Sequence, residues 1–305
     1  MLGEETMKNV TAIGEILFDI YPDGKKIGGA PFNFIYHIIR LTGQGNFVSR
    51  IGKDDLGKEI RNYLEERNVS PEFVQTDQVH KTGVAKTTLN EKKIPDFIIE
   101  KNRAYDFIQS TPETDKLISE NTDCLYYGTL AQRNEVSRNT IQNLFNKNVK
   151  CFCDLNIRQK YYSKDLIEKS LKTSNVLKLN EDELNLVDKL ILNSEKDLKL
   201  IIKKLINDFE IELLCVTKGS DGAVLYRGGE ENSFRLKNDE VVDTVGAGDA
   251  YAAMLCFGYL ENWNLERINK LASEFAGEIV KVEGALPNDD KIYEVFKQKI
   301  NDGKE

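Results

Sequence analysis

The residues best suited to chemistry sit in one run, Val241–Leu255, where Gly246-Ala247-Gly248-Asp249 separates an apolar approach from an apolar stretch reaching about Leu260. Glycines at 246 and 248 let backbone N–H groups point at a common centre. A helix starting there adds the positive end of its dipole, which makes an anion hole. Asp249 brings a carboxylate to that site. If the anion is a phosphoryl group in transfer, such a carboxylate can take the proton of an attacking hydroxyl. The same residues also read as a plain turn before an Asp-capped helix, and the run alone leaves both readings open. Two nucleotide motifs are excluded. No Gly-Lys-Ser/Thr follows, so this is not a P-loop, and Gly246-x-Gly248-x-x-Tyr251 lacks the third glycine of a dinucleotide fingerprint and lies late in the chain.

A second cluster, Lys25-Lys-Ile-Gly-Gly-Ala-Pro-Phe-Asn33, precedes another apolar helical pattern. Gly28 and Gly29 permit close backbone approach, Pro31 suits a first helical turn, and Asn33 offers a donor and acceptors. Such a set suits a polyhydroxyl ligand, with a capped helix as the plainer alternative.

The elements that must position these clusters alternate along the chain. Strands are expected over Val10–Ile16, Phe47–Ile51, Cys124–Tyr127, Val149–Asp154, Asn175–Leu179 and Glu212–Thr217. Helices are expected over Pro31–Leu41, Asp55–Arg67, Val136–Asn146, Asp165–Lys172 and Glu195–Asp208. Near-continuous apolar strands between helices predict an α/β protein with a doubly wound, mostly parallel sheet. No repeat or Gly/Ser linker divides the chain, so one domain over residues 7–300 is expected. Two stretches depart from the rhythm. Lys81–Leu89 and Asp96–Glu100 flank the polar turn NEKKIP as a hairpin, and Phe18–Gly29 contains the turn signal YPDG. Together, insertions at about 17–30 and 81–108 are expected to form a small β-lid over the sheet's edge.

Composition narrows the partners. The chain has 305 residues, 30% charged and 40% hydrophobic, with a net charge of −8, so neither nucleic acid nor an anionic membrane is expected as the main partner. Only two histidines, His37 and His80, are present, which turns the chemistry toward carboxylates, amides and cations. Five cysteines in apolar runs, with Cys151 and Cys153 on one strand face, read as buried reduced thiols of a cytoplasmic protein. No stretch reaches about 18 uninterrupted apolar residues, and the N-terminus MLGEETMKN does not read as a signal peptide. Met7 is a candidate start, with the preceding residues expected to be frayed.

Taken together, GGAPFNF with the following RIGKDDLG, then DLNIR (Asp154–Arg158), KLNEDE (Lys178–Glu183), VTKGSDGA (Val216–Ala223) and DTVGAGDAYAAML resemble, in order, the PfkB (ribokinase-like) family of carbohydrate kinases. The opening GEILFDIYPDGKKIGGAPFNF and the runs GTLAQRNEVSR and DLNIRQKYYS are most similar to bacterial fructokinases. The resemblance implies ATP-dependent phosphorylation of a sugar hydroxyl, fructose before other sugars, sugar acids or nucleosides. Under it, Asp249 is the catalytic base, Gly246, Ala247 and Gly248 form the anion hole, and Arg158 clamps phosphate oxygens. Asp19, Gly28, Gly29 and Asn33 hold the sugar, while Thr217, Lys218, Gly219, Gly222 and Asn180 lie along the nucleotide. Asn180 and Glu183 organise Mg²⁺, largely through water. Asp243, with the backbone near Val245 and Gly284, is the candidate for a monovalent cation such as K⁺. The resemblance also implies a homodimer through the lid. Departures from the family pattern are Lys218, where an apolar residue is usual, and an adenine contact without a recognisable motif. Two other classes stay in view: a catalytically silent sugar sensor on the same fold, which the presence of Asp249, Asn180 and Glu183 disfavours, and a dinucleotide oxidoreductase, which the broken fingerprint disfavours.

Overall fold

A computed structural model describes residues 8–89, 95–145, 149–237 and 240–302. The elements run β1 (Val10–Ile13), β2 (Leu17–Tyr21), β3 (Gly24–Gly28), α1 (Ala30–Thr42), β4 (Asn46–Gly52), α2 (Asp55–Glu66), β5 (Val74–Asp77), β6 (Gly83–Leu89), β7 (Pro95–Ile99), α3 (Pro112–Asn121), β8 (Cys124–Tyr127) and α4 (Glu135–Asn143). They continue with β9 (Lys150–Asp154), α5 (Lys164–Thr173), β10 (Val176–Asn180), α6 (Glu181–Val187), α7 (Leu198–Asp208), β11 (Leu213–Thr217), β12 (Ala223–Arg227), β13 (Glu230–Phe234), α8 (Ala247–Leu260), α9 (Leu265–Ile279) and α10 (Lys291–Asn301).

Nine strands form one sheet in the order β13-β12-β11-β10-β9-β8-β1-β4-β5. From β11 to β5 every pairing is parallel, and β12 and β13 extend the sheet antiparallel at one edge. This is the doubly wound sheet the alternation predicts. A parallel sheet needs cover on both faces, which is why β1 and β8 are buried at every position. Side chains alternate between two cores. Phe34, Tyr126, Phe152, Leu213, Met254 and Phe275 share one, on the side of α1, α8 and α9. Ile13, Leu125, Tyr127, Cys151, Cys153, Leu177 and Leu214 share the other with Leu117 of α3, Ile141 of α4, Ile167 of α5 and Ile201 of α7. Helix α8 is apolar all round because residues Ala250–Cys256 are buried on every side. All five cysteines are buried and free.

The winding reverses at β1, whose neighbours are β4 on one side and β8 on the other. Such a reversal opens a crevice at the carboxyl ends of the strands, where ligands of open α/β sheets bind. A second sheet, ordered β3-β2-β6-β7, is built from two distant hairpins joined by the parallel pair β2–β6. These are the two stretches that break the helix–strand rhythm. The turn residues 90–94 between β6 and β7 lie outside the described residues, as does the expected start at Met7. Lys26 Nζ of β3 reaches Glu283 Oε1 at 2.6 Å, and Lys25 Nζ reaches Glu59 Oε1 of α2 at 2.7 Å, fastening this sheet to the main body.

Several boundaries differ from expectation. The first strand stops at Ile13 instead of Ile16. The helix expected from Glu195 starts at Leu198, because Asn193, Glu195 and Lys196 have φ of 50°, 53° and 66° and Asp197 caps the helix by accepting from the amides of Lys199 and Leu200. Helix α4 ends at Asn143, short of the expected Asn146, which itself lies outside the described residues. Strands β5, β12 and β13 and helices α3, α6, α9 and α10 were not among the expected elements; α9 and α10 nonetheless carry an apolar stripe, with Ile268, Leu271, Ala272 and Phe275 buried in one and Tyr293, Phe296 and Ile300 in the other. Among the described residues, no helix is long and apolar enough to cross a membrane.

Candidate active site

Gly246 is the N-cap of α8, with φ of 79°. A Cβ there would lie 2.4 Å from Ala285 Cβ, so conformation and space both require glycine. No side chain caps the first turn, and Gly248 is exposed, so the amides of this helix start stand at an open surface. Asp249 follows in the first turn. Asn33 Nδ2, from α1, donates to Asp249 Oδ2 at 2.8 Å, which joins the two sequence clusters 216 residues apart. Burial pushes the Asp249 carboxyl up to about 6. The Asn33 hydrogen bond opposes the rise, the Asp154 charge adds to it, and the Lys178 and Arg158 cations oppose it.

The glycine pair at 28–29 explains how a carboxylate and a helix start come so close. A Cβ on Gly28 would lie 2.5 Å from Asp19 Oδ2, and one on Gly29 would lie 2.5 Å from the carbonyl oxygen of Glu15. Gly29, at φ 112°, is the N-cap of α1, and its carbonyl accepts from Asn33 N at 2.8 Å. Asp19 is pushed up to about 6 by burial, against the Arg158 charge and helped by Asp243. Glu15 is 3% exposed, and its Oε2 has no hydrogen-bond partner. Burial raises it to about 7; its own backbone amide and the Arg158 and Arg133 charges pull it down, and Asp249 pushes it up. Three acids thus share one crevice, and the charge of the exposed Arg158 acts on all of them.

Beneath the Gly246–Gly248 turn lies a buried ion pair. Lys178 Nζ on β10 bonds Asp154 Oδ2 on β9 at 2.8 Å, and Tyr126 donates to the same oxygen at 3.2 Å. A Cβ on Gly248 would stand 3.6 Å from that ammonium, so Lys178 supports the turn from below.

The expected nucleotide residues meet along one edge. Asn180 and Thr217 are register partners at the ends of β10 and β11. After β11 the chain turns at Gly219 (φ 56°) and Gly222 (φ 88°), with Lys218 N donating to Gly222 O at 2.8 Å. Lys218 Nζ lies 3.6 Å from Glu181. Glu183 forms a capping box with Asn180, accepting from Asn180 N at 2.9 Å and from Ile157 N at 2.6 Å, while Asn180 Oδ1 accepts from Glu183 N. Burial raises the Glu183 carboxyl. Asp243 gathers the two backbone positions expected near it, accepting from Val245 N at 3.0 Å and Gly284 N at 2.9 Å. Among the described residues, no group of three or more His, Cys, Asp or Glu side chains is placed to hold a metal ion.

Neither histidine joins the crevice. His37 Nδ1 pairs with the Tyr293 hydroxyl at 2.9 Å in the core, and His80 stacks on Phe107 at 3.5 Å. Glu15 and Lys178 were not singled out from sequence, though each had a signal: Glu15 is an acid within the otherwise apolar stretch Ala12–Phe18, and Lys178 interrupts the apolar strand VLKLN. Arg133, whose charge reaches Glu15, had none.

A doubly wound sheet with a half-buried carboxylate beside an amide-lined helix start has the architecture of a small-molecule phosphotransferase. The profile described as "pfkB family carbohydrate kinase" matches residues 7–291, and the chain belongs to that family. Fructokinase of Escherichia coli is 27% identical over 297 residues, covering 91% of this chain and 94% of that protein. The structure of Xylella fastidiosa fructokinase with bound ATP superposes with a TM-score of 0.82 at 18% identity, covering 96% and 99% of the two chains. A double mutant of Vibrio cholerae fructokinase, with fructose, ADP and potassium ion bound, gives 0.75 at 22%, covering 94% and 98%.

Proposed function

We propose that this carbohydrate kinase transfers the γ-phosphoryl group of ATP to a hydroxyl of fructose. The Asp249 carboxyl carries the reading: it stands at the head of α8, hydrogen-bonded at 2.8 Å to Asn33 of the glycine-pair cluster. A base at that position is shared by the sugar side and the phosphate side of the crevice. Similarity to the E. coli fructokinase and to the ATP-bound and fructose-bound neighbours supports ATP and fructose as the substrates.

In this reading Asp19 and Asn33 accept and donate to sugar hydroxyls, with the backbone at Gly28 and Gly29 against the ring. Asp249 takes the proton of the attacking hydroxyl. The amides of Gly246, Ala247 and Gly248 and the Arg158 guanidinium hold charge developing on the phosphoryl oxygens. Thr217, Lys218, Gly219 and Gly222 line the nucleotide. Glu183 fits an indirect hold on Mg²⁺, because each oxygen accepts one amide and keeps a lone pair for water, with Asn180 beside it. Mg²⁺, when bound, neutralises charge on the phosphates. Asp243, oriented by the Val245 and Gly284 amides, suits a monovalent cation. The second sheet closes over the sugar as a lid on a single α/β domain of residues 7–300, keeping water from the phosphoryl group.

Coupled ADP release over fructose, ribose, 2-keto-3-deoxygluconate and adenosine tests this. The highest kcat/KM is expected with fructose. A higher value with another substrate reassigns the acceptor. No ADP with any of the four favours the sugar-sensor reading.

A further inference from the structure

Away from Asp249, the segments that follow β7, β8 and β9 line a half-open cavity of about 310 Å³. Its lining is cationic in a chain of net charge −8: Lys101, Arg133, Arg138 and Lys160 share it with one carboxylate, Asp106. That carboxylate is occupied by Arg133, through Nε to Oδ1 at 2.7 Å and Nη2 to Oδ2 at 2.9 Å. Lys101 sits over the Tyr161 ring, and Arg138 donates to the carbonyls of Gln132 and Arg133. Among the described residues, Lys101, Arg138 and Lys160 make no ion pair with a carboxylate. Three positive charges are left without a negative partner.

Arg133 supplies an independent sign of a ligand. Its side chain is 6% exposed and packs against the rings of Tyr105 and Tyr161, yet its Nη1 has no hydrogen-bond partner. A buried donor without an acceptor is costly and is ordinarily satisfied by protein, water or ion. Two helix starts add positive potential, since Asn134 caps α4, Ser163 caps α5, and both residues line the cavity. Neither Asp249, Asn33 nor Asp19 lines it.

We propose that this cavity binds a small dianion of the phosphate-monoester class, separately from the anion hole at Gly246–Gly248. The surplus of three cations suits a doubly charged group. The volume lies at the lower end of small-molecule sites (roughly 300–1,000 Å³), which suits inorganic phosphate or a sugar phosphate and not a nucleotide. The test is calorimetric titration of the full chain with inorganic phosphate and, in parallel, with fructose 6-phosphate, at fixed ionic strength. Wild type is compared with Lys160→Ala and with a Lys160→Ala/Arg138→Ala double variant. Each lost charge-assisted contact is expected to weaken binding about tenfold. The exposed Lys160→Ala variant keeps the test decisive if the double variant fails to fold. Fructose 6-phosphate binding that is tighter than that of phosphate and is weakened in the variants identifies a sugar phosphate as the occupant, and equal, variant-sensitive affinity identifies phosphate alone. No binding to wild type, or binding of both ligands unchanged in the variants, overturns the proposal. Lys160 and Arg138 lie outside the Asp249 crevice, so binding that the variants weaken reports on this cavity whatever the kinase assay shows.

Discussion

At the scale of single residues, the crevice concentrates acids that its burial keeps partly protonated. In the proposed role of base, Asp249, raised to about 6, works only when deprotonated, so kcat is expected to fall as pH drops through about 6, which a pH–rate profile measures. Asp249→Asn keeps the size and the Asn33 contact but cannot accept the proton. Turnover should drop about 10²–10⁴-fold while sugar binding, read by calorimetry, is retained. A variant turning over near the wild-type rate refutes the assignment. Glu15 makes a separate prediction. Its ordinary value of 4.5 is raised to about 7 in the fold, so the folded chain holds a proton that the unfolded chain releases. The stability it contributes is complete below about pH 4.5 and lost as pH rises through 7. Glu15→Gln removes that loss. From pH 4 to pH 8 its stability relative to wild type should rise by about 3 kcal/mol, followed by denaturant unfolding. A constant difference would mean that Glu15 keeps its charge when folded. Glu183, the acid proposed to act near the phosphates, closes the capping box of α6 with Asn180.

At the scale of elements, the ends of β9 and β10 and the start of α8 meet over the Lys178–Asp154 pair. Lys178→Met strands a buried carboxylate and is expected to cost about 3–5 kcal/mol, whereas adding Asp154→Leu should restore most of it. Equilibrium denaturation of the three proteins decides this. Equal losses in the single and double variants would show that the pair's packing matters and not its charge. Elements legible in the sequence are those whose pattern answers to one dominant environment. The buried strands and the all-apolar α8 were readable because both faces of the sheet are covered. Helices α3 and α6 and strand β13 were not, since their short, polar-rich segments depend on edge position and caps.

At the scale of the molecule, the second sheet has open edges at β3 and β7, and Ile98 on β7 is 49% exposed. Open, partly apolar edges call for cover, and a homodimer through this sheet is expected. Sedimentation at micromolar concentration should give the dimer mass, shifted to monomer by Ile98→Lys. A wild-type monomer would leave the lid uncovered and refute the pairing. The alternation that makes a parallel sheet and the Gly-Gly and Gly-Ala-Gly-Asp turns were legible in the sequence because they depend on local backbone freedom and on periodic burial, and the order of the motifs carried the resemblance to the family. Tertiary structure alone decided that Asn33 touches Asp249, that Lys178 lies under Gly248, and that Glu15 and Arg133 sit close enough to feel each other's charge. Those relations join residues far apart in the chain. Their physical basis is the reversal of strand order at β1, which brings the two signatures to one crevice and takes their charged groups out of water.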